Sequence, residues 1–169
     1  MIEQPESESE ARQDAAIAVV LAVQCVEVFL NIYFRVLVSE REFSHAAERI
    51  CRDLEDTRFG LDRKLKEWPK LVFGKKLSLG AGAGQQFVLL RNIRHRLMHF
   101  SSSHETLSVP GAEIHGLADT SVYASLSRDS AVKALHVAED FLCEVFALRG
   151  ISVENLPHAL HSWTGRPPV

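Results

Sequence analysis

The stretch Arg91-Asn92-Ile93-Arg94-His95-Arg96-Leu97-Met98-His99 holds the residue types in this chain best suited to chemistry. On a helical wheel of about 100° per residue, Leu89, Leu90, Ile93, Leu97 and Phe100 gather on one side, which is expected to face a core. Arg91, Arg94, His95, Met98 and His99 gather on the other, with Asn92 and Arg96 on its flanks. A guanidinium binds phosphate oxygens in a fork and keeps its charge. An imidazole can give or take a proton near neutral pH. Together they supply what phosphodiester cleavage requires without a metal: a proton carrier and a cation for the extra negative charge of the transition state.

Four other readings of these residues compete. Cations at the end of a helix are favoured by the macrodipole, so a solvated basic helix end would look the same. His95 and His99, with His104, have a spacing that can hold zinc. The stretch lacks the glutamate of an HExxH helix, however, and Arg94 and Arg96 would repel a dication. Ser101-Ser102-Ser103-His104-Glu105 offers serine, histidine and glutamate, but neighbours in sequence rarely form a triad. The glycines at 80, 82 and 84 lack the Lys-Ser/Thr of a phosphate loop.

Arg94-His95-Arg96-Leu97-Met98-His99 resembles the R-x4-6-H signature of HEPN domains (higher eukaryotes and prokaryotes nucleotide-binding), in which a polar residue often follows the arginine. The segment Val26-Glu27-Val28-Phe29-Leu30-Asn31 in a preceding long helix is also similar to members of that family. The resemblance implies a metal-independent endoribonuclease, of the kind found among toxins and defence components, that works as a homodimer with two motifs across a shared cleft. It implies Arg94 and His99 as the catalytic pair and His95 as the polar residue that orients them. Attack by the RNA 2′-hydroxyl on the adjacent phosphate is the expected reaction, with no cofactor and no metal. An antitoxin or a nucleotidyltransferase is the partner protein such a chain would have. A non-catalytic HEPN bundle that binds nucleotide or protein as a dimer is the alternative.

Charge alone assigns Arg91 and Arg96, with Asn92, to RNA binding, and Glu27 and Asn31 are candidates for a supporting layer. Glu27 has a plainer reading as half of an ion pair with Arg35 or with an arginine of another helix. Arg94 and His99 lie five residues apart, about 140° around an ideal helix. They converge only if the helix loosens after Met98, or if each works with the partner subunit's motif.

The elements that must carry these residues are helices. The chain has 169 residues, 46% hydrophobic and 24% charged, as expected for one globular domain. A net charge of -3 gives no global basic field, so a phosphate backbone must be met by a local patch. Cys25, Cys51 and Cys143 are far apart and form no CxxC pair, which suits a reducing, cytoplasmic setting. Residues 1–11 are acidic and expected to be disordered, without the basic start of a secretory signal.

Helical spacing predicts elements at about 12–39, 44–56, 61–71, 85–99 and 129–148. Ser39 with Glu42, or Ser44, is expected to cap the second, and Asp129 or Ser130 the last. Pro69 is expected to shorten or break the third, and glycines at 74, 80, 82 and 84 to make a flexible loop. A long loop spans 101–127, with room for a hairpin that uses Thr106–Val109, and 151–169 is expected to be a partly ordered tail. The apolar run Ala15–Val38 is long enough to raise a membrane span, but Gln24, Glu27, Asn31 and Arg35 interrupt it. A core helix buried on most sides is the better expectation. The fold class expected is all-α: an up-and-down bundle of four main helices plus a short one over 12–150, with no membrane.

Overall fold

The computed structural model describes residues 7–99 and 120–165, together with the strand residues 106–109 and 112–115. Helix α1 (Glu8–Leu37) starts earlier than its apolar periodicity does, because Ser7 and Glu10 form a capping box: Glu10 N–H donates to Ser7 Oγ and Ser7 N–H to Glu10 Oε2. A short 3₁₀ turn (Ser44–Ala46) leads into α2 (Ala47–Glu55). No side-chain cap opens either; Ser44 Oγ instead donates back to the Arg41 carbonyl.

Helix α3 (Leu61–Phe73) runs unbroken through Pro69. Trp68, fully buried beside that proline, donates its indole N–H to Asp53 of α2 at 3.1 Å, and tertiary packing outweighs one missing helical donor. Helix α4 (Gly82–Met98) begins three residues before the expected start, inside the glycine-rich segment. Gly84 is required there: a Cβ would lie 2.4 Å from the Ser78 carbonyl oxygen. Strands β1 (Thr106–Val109) and β2 (Ala112–His115) pair antiparallel, Thr106 opposite His115, and supply the hairpin for which the long loop had room.

A short α5 (Ser121–Ala124) precedes α6 (Arg128–Arg149). Ser127, rather than Asp129, caps α6, with its N–H donated to Ser130 Oγ. Gly150, in the left-handed region at φ 97°, stops it. Helix α7 (Leu156–Thr164) lies within the expected tail and packs Trp163 edge-on against Phe29 and Tyr33 of α1.

The fold is helical, with that one hairpin among the described residues. Helix α1 packs most extensively on α6, and α4 closes against both. Phe34, Phe87, Phe141, Phe146 and Trp68 fill the core, and Phe87 stacks on Phe141 at 4.3 Å. The inward stripe of α6 runs through Ala134, Val137, Phe141 and Val145, and Leu135 is about half exposed. On α4 likewise Phe87 and Leu90 are buried while Leu89 is exposed. Only ten of the thirty residues of α1 are buried, so the helix is not enclosed on most sides.

Replacing Gly84 by alanine is expected to lower stability by about 2 kcal/mol, because the new methyl meets backbone rather than a movable side chain. A urea titration of Gly84→Ala checks this. A neutral or stabilising result would mean that α4 does not start as described.

Candidate functional site

The site forms where α3 begins. Lys64, only 7% exposed, reaches from α3 to Glu27 of α1, Nζ to Oε1 at 3.0 Å. Glu27 therefore has a pairing role with another helix, and its partner is a lysine rather than Arg35. Two residues earlier, Asp62 of α3 forms an ion pair with Arg91 of α4. These two contacts fasten the first turn of α3 to both α1 and α4.

Between the three helices runs an open groove of about 610 Å³. Its walls include Gln24 and Glu27 from α1, Arg58 and Gly60 from the α2–α3 turn, Asp62 and Arg63 from α3, and Arg91, Asn92, Arg94 and His95 from α4. Arg58 and Arg63 were not singled out from the sequence. Phe59-Gly60, flanked by arginines, was the available signal: the turn that breaks the helix also delivers both cations. Arg63 lies over the Phe59 ring at 4.3 Å and donates to Glu67 at 3.2 Å.

The guanidinium groups divide by their partners. Arg91 is committed to Asp62, and its partial burial pulls its pKa down from the usual arginine value. Arg94 and Arg58 have no anionic partner among the described residues. Arg94 Nε is buried and has no hydrogen-bond acceptor among the described residues. A buried donor without an acceptor costs roughly 1–3 kcal/mol.

The remaining candidates lie elsewhere on α4 and α1. The helix ends at Met98, and His99 has left helical geometry at φ -128° and ψ 87°, so the loosening expected there is present. The His99 ring turns toward His95, with centroids 4.8 Å apart. No hydrogen bond or ion pair joins Arg94 to His99 within one chain. Both imidazoles are exposed. Arg96 points the other way, donates to Ser121 Oγ at 3.3 Å, and lines a second groove with Asn92, Leu89 and α6 residues. Asn31 is half-buried, with its side-chain oxygen unpaired, and does not line the Arg94 groove. Another groove, about 740 Å³ between α2 and α3, contains none of these residues. Its lysines 66, 70 and 76 give it cations, and His45 Nε2 lies 3.1 Å from the carbonyl oxygen of Leu71 on its wall.

The Arg94 groove can therefore bind an anion and has His95 at its edge to move a proton. Comparison with family models, with curated proteins and with solved structures returned no match to this chain.

Glu27→Gln is expected to cost about 2 kcal/mol in a urea titration, because it leaves Lys64 nearly buried without a counter-charge. Adding Lys64→Met to that variant is expected to recover most of the loss. If the single variant is as stable as the parent, the ion pair does not hold α3 in place.

Proposed function

We propose that this protein is a metal-independent endoribonuclease of HEPN type, a cytoplasmic homodimer that acts as a toxin or defence component. The observation that carries this reading is that Arg94, which has no anionic partner among the described residues, and His95 line one open groove. A phosphodiester supplies the acceptor. Its non-bridging oxygens take the Arg94 fork, and Arg58 holds the backbone on the far wall. A histidine accepts the 2′-hydroxyl proton as that oxygen attacks phosphorus. The bond to the 5′-oxygen breaks, and that oxygen is protonated as it leaves, giving a 2′,3′-cyclic phosphate and a free 5′-hydroxyl.

Within one chain Arg94 and His99 do not touch, and this favours the two-subunit form of the motif, with His99 serving the partner's Arg94. Helix α1 is long and apolar enough to cross a membrane by length and composition. The cytoplasmic reading rests instead on the burial of its Val26, Phe29, Leu30 and Phe34 face against the other helices. The non-catalytic alternative keeps the same anion-binding groove and loses only the proton transfer. An antitoxin or nucleotidyltransferase partner belongs to the same proposal.

Pure protein in EDTA is expected to cleave single-stranded RNA to cyclic-phosphate ends. Arg94→Ala and His99→Ala are each expected to lower the rate by roughly 10²–10⁴-fold. Mixing the two inactive variants is expected to restore about a quarter of the activity, since half the dimers formed carry one intact composite site. Full activity in both single variants would overturn the site. Binding of RNA without cleavage would select the non-catalytic alternative.

A further inference from the structure

The groove that Arg96 lines has a chemistry of its own. It measures about 560 Å³ and lies between α4 and α6, with Val122 of α5 at one end. Two contacts fix its direction. Phe87 of α4 stacks on Phe141 of α6, and Arg96 of α4 donates to Ser121 at the start of α5, so α4 and α6 run antiparallel. Along α4 the lining residues extend from Gln86 to Arg96, a rise of roughly 15 Å. Of the described lining residues, only Asn92 also borders the Arg94 groove.

The lining indicates what the groove holds. Its floor is Val19, Leu90, Leu126 and Val137, all buried, and Leu89 stands half exposed at its edge. Among the described lining residues there is no carboxylate and no aromatic ring. The cations among them are Arg96 and Lys133, and Lys133 has no anionic partner among the described residues. The two serine hydroxyls serve local structure: Ser125 Oγ donates to the Val122 carbonyl, and Ser130 Oγ accepts the Ser127 N–H. An apolar cleft with a few convergent polar groups is the ordinary form of a small-molecule site.

We infer that this groove binds an unbranched aliphatic monocarboxylate. Arg96 and Lys133 meet the carboxylate with charge-assisted hydrogen bonds. The hydrocarbon chain lies along Leu90 and Val137 toward the Phe87–Phe141 stack, where it displaces water from aliphatic surface. A chain of about ten carbons matches the length of the groove, with C–C bonds of about 1.5 Å in zigzag. A nucleotide fits less well, since the described lining offers its base no ring to stack on. Arg96, assigned to RNA by charge alone, serves this ligand instead. The site rests on its own lining and stands whether or not the Arg94 groove cleaves RNA.

Isothermal titration of the full chain with decanoate, kept below its micelle concentration, is expected to show saturable binding. From hexanoate to decanoate the affinity is expected to rise roughly fourfold per methylene, and to level off beyond about twelve carbons, where the groove ends. Decylammonium and 1-decanol are each expected to bind at least about tenfold more weakly than decanoate. Lys133→Gln and Arg96→Gln are each expected to weaken decanoate about tenfold with an unchanged circular dichroism signal, and Lys133→Arg to keep the affinity. Absence of decanoate binding would overturn the inference. So would equal binding of decylammonium, an affinity indifferent to both glutamine variants, or tighter binding of adenosine monophosphate than of decanoate.

Discussion

The contact on which the groove depends is the ion pair between Lys64 and Glu27. A lysine this deeply placed must keep a counter-charge close, since an ammonium removed from water without one costs several kcal/mol. Glu27 lies in the middle of α1, so the pair fixes where the first turn of α3 sits along the longest helix of the fold. Once α3 is held there, Asp62 comes within reach of Arg91 and Arg63 comes to the rim. A weakly packed turn after Phe59-Gly60 thereby becomes one wall of a defined groove. Polar contacts of this kind add little net stability but give a surface its shape.

The same geometry decides which cations are spent on structure. Asp62 uses Arg91, Glu67 uses Arg63 and Arg49, and Glu27 uses Lys64. Arg94 and Arg58 remain without an anionic partner among the described residues, both lining the groove, in a protein whose overall charge is negative. A chain of this composition cannot attract a polyanion by its general field. It can do so locally, where two guanidinium groups have no acceptor of their own and an imidazole stands at the edge. That is the physical content of the nuclease proposal, and it requires neither a preformed Arg94–His99 contact nor any cofactor.

Much of this was legible in the sequence, and the misses have physical reasons. The Arg/His face of α4 could be read because helical periodicity separates it from Phe87 and Leu90, although Leu89, which periodicity also places on the core side, is exposed. The early start of α1 lay in two short polar residues, Ser7 and Glu10, whose mutual hydrogen bonds outweighed the acidic composition around them. Pro69 and Gly84 misled for the opposite reason. Local propensity argued for a break, while burial of Trp68 and the close approach of Ser78 argued for continuity. Arg58 and Arg63 stand about thirty residues from the motif they join. No spacing rule reaches across that distance; only the Lys64–Glu27 and Asp62–Arg91 contacts do.

The unsatisfied donor of Arg94 offers the most direct measurement. In protein labelled with nitrogen-15, the Arg94 Nε–H resonance, identified by its absence from Arg94→Lys, can be followed as a short RNA with 2′-deoxy substitution is added, so that binding occurs without cleavage. The account predicts a downfield shift of that resonance and slowed exchange of its proton with water, as a phosphate oxygen takes the bond. A titration in which RNA binds while the Arg94 signal stays unmoved, with other arginines shifting instead, would contradict it.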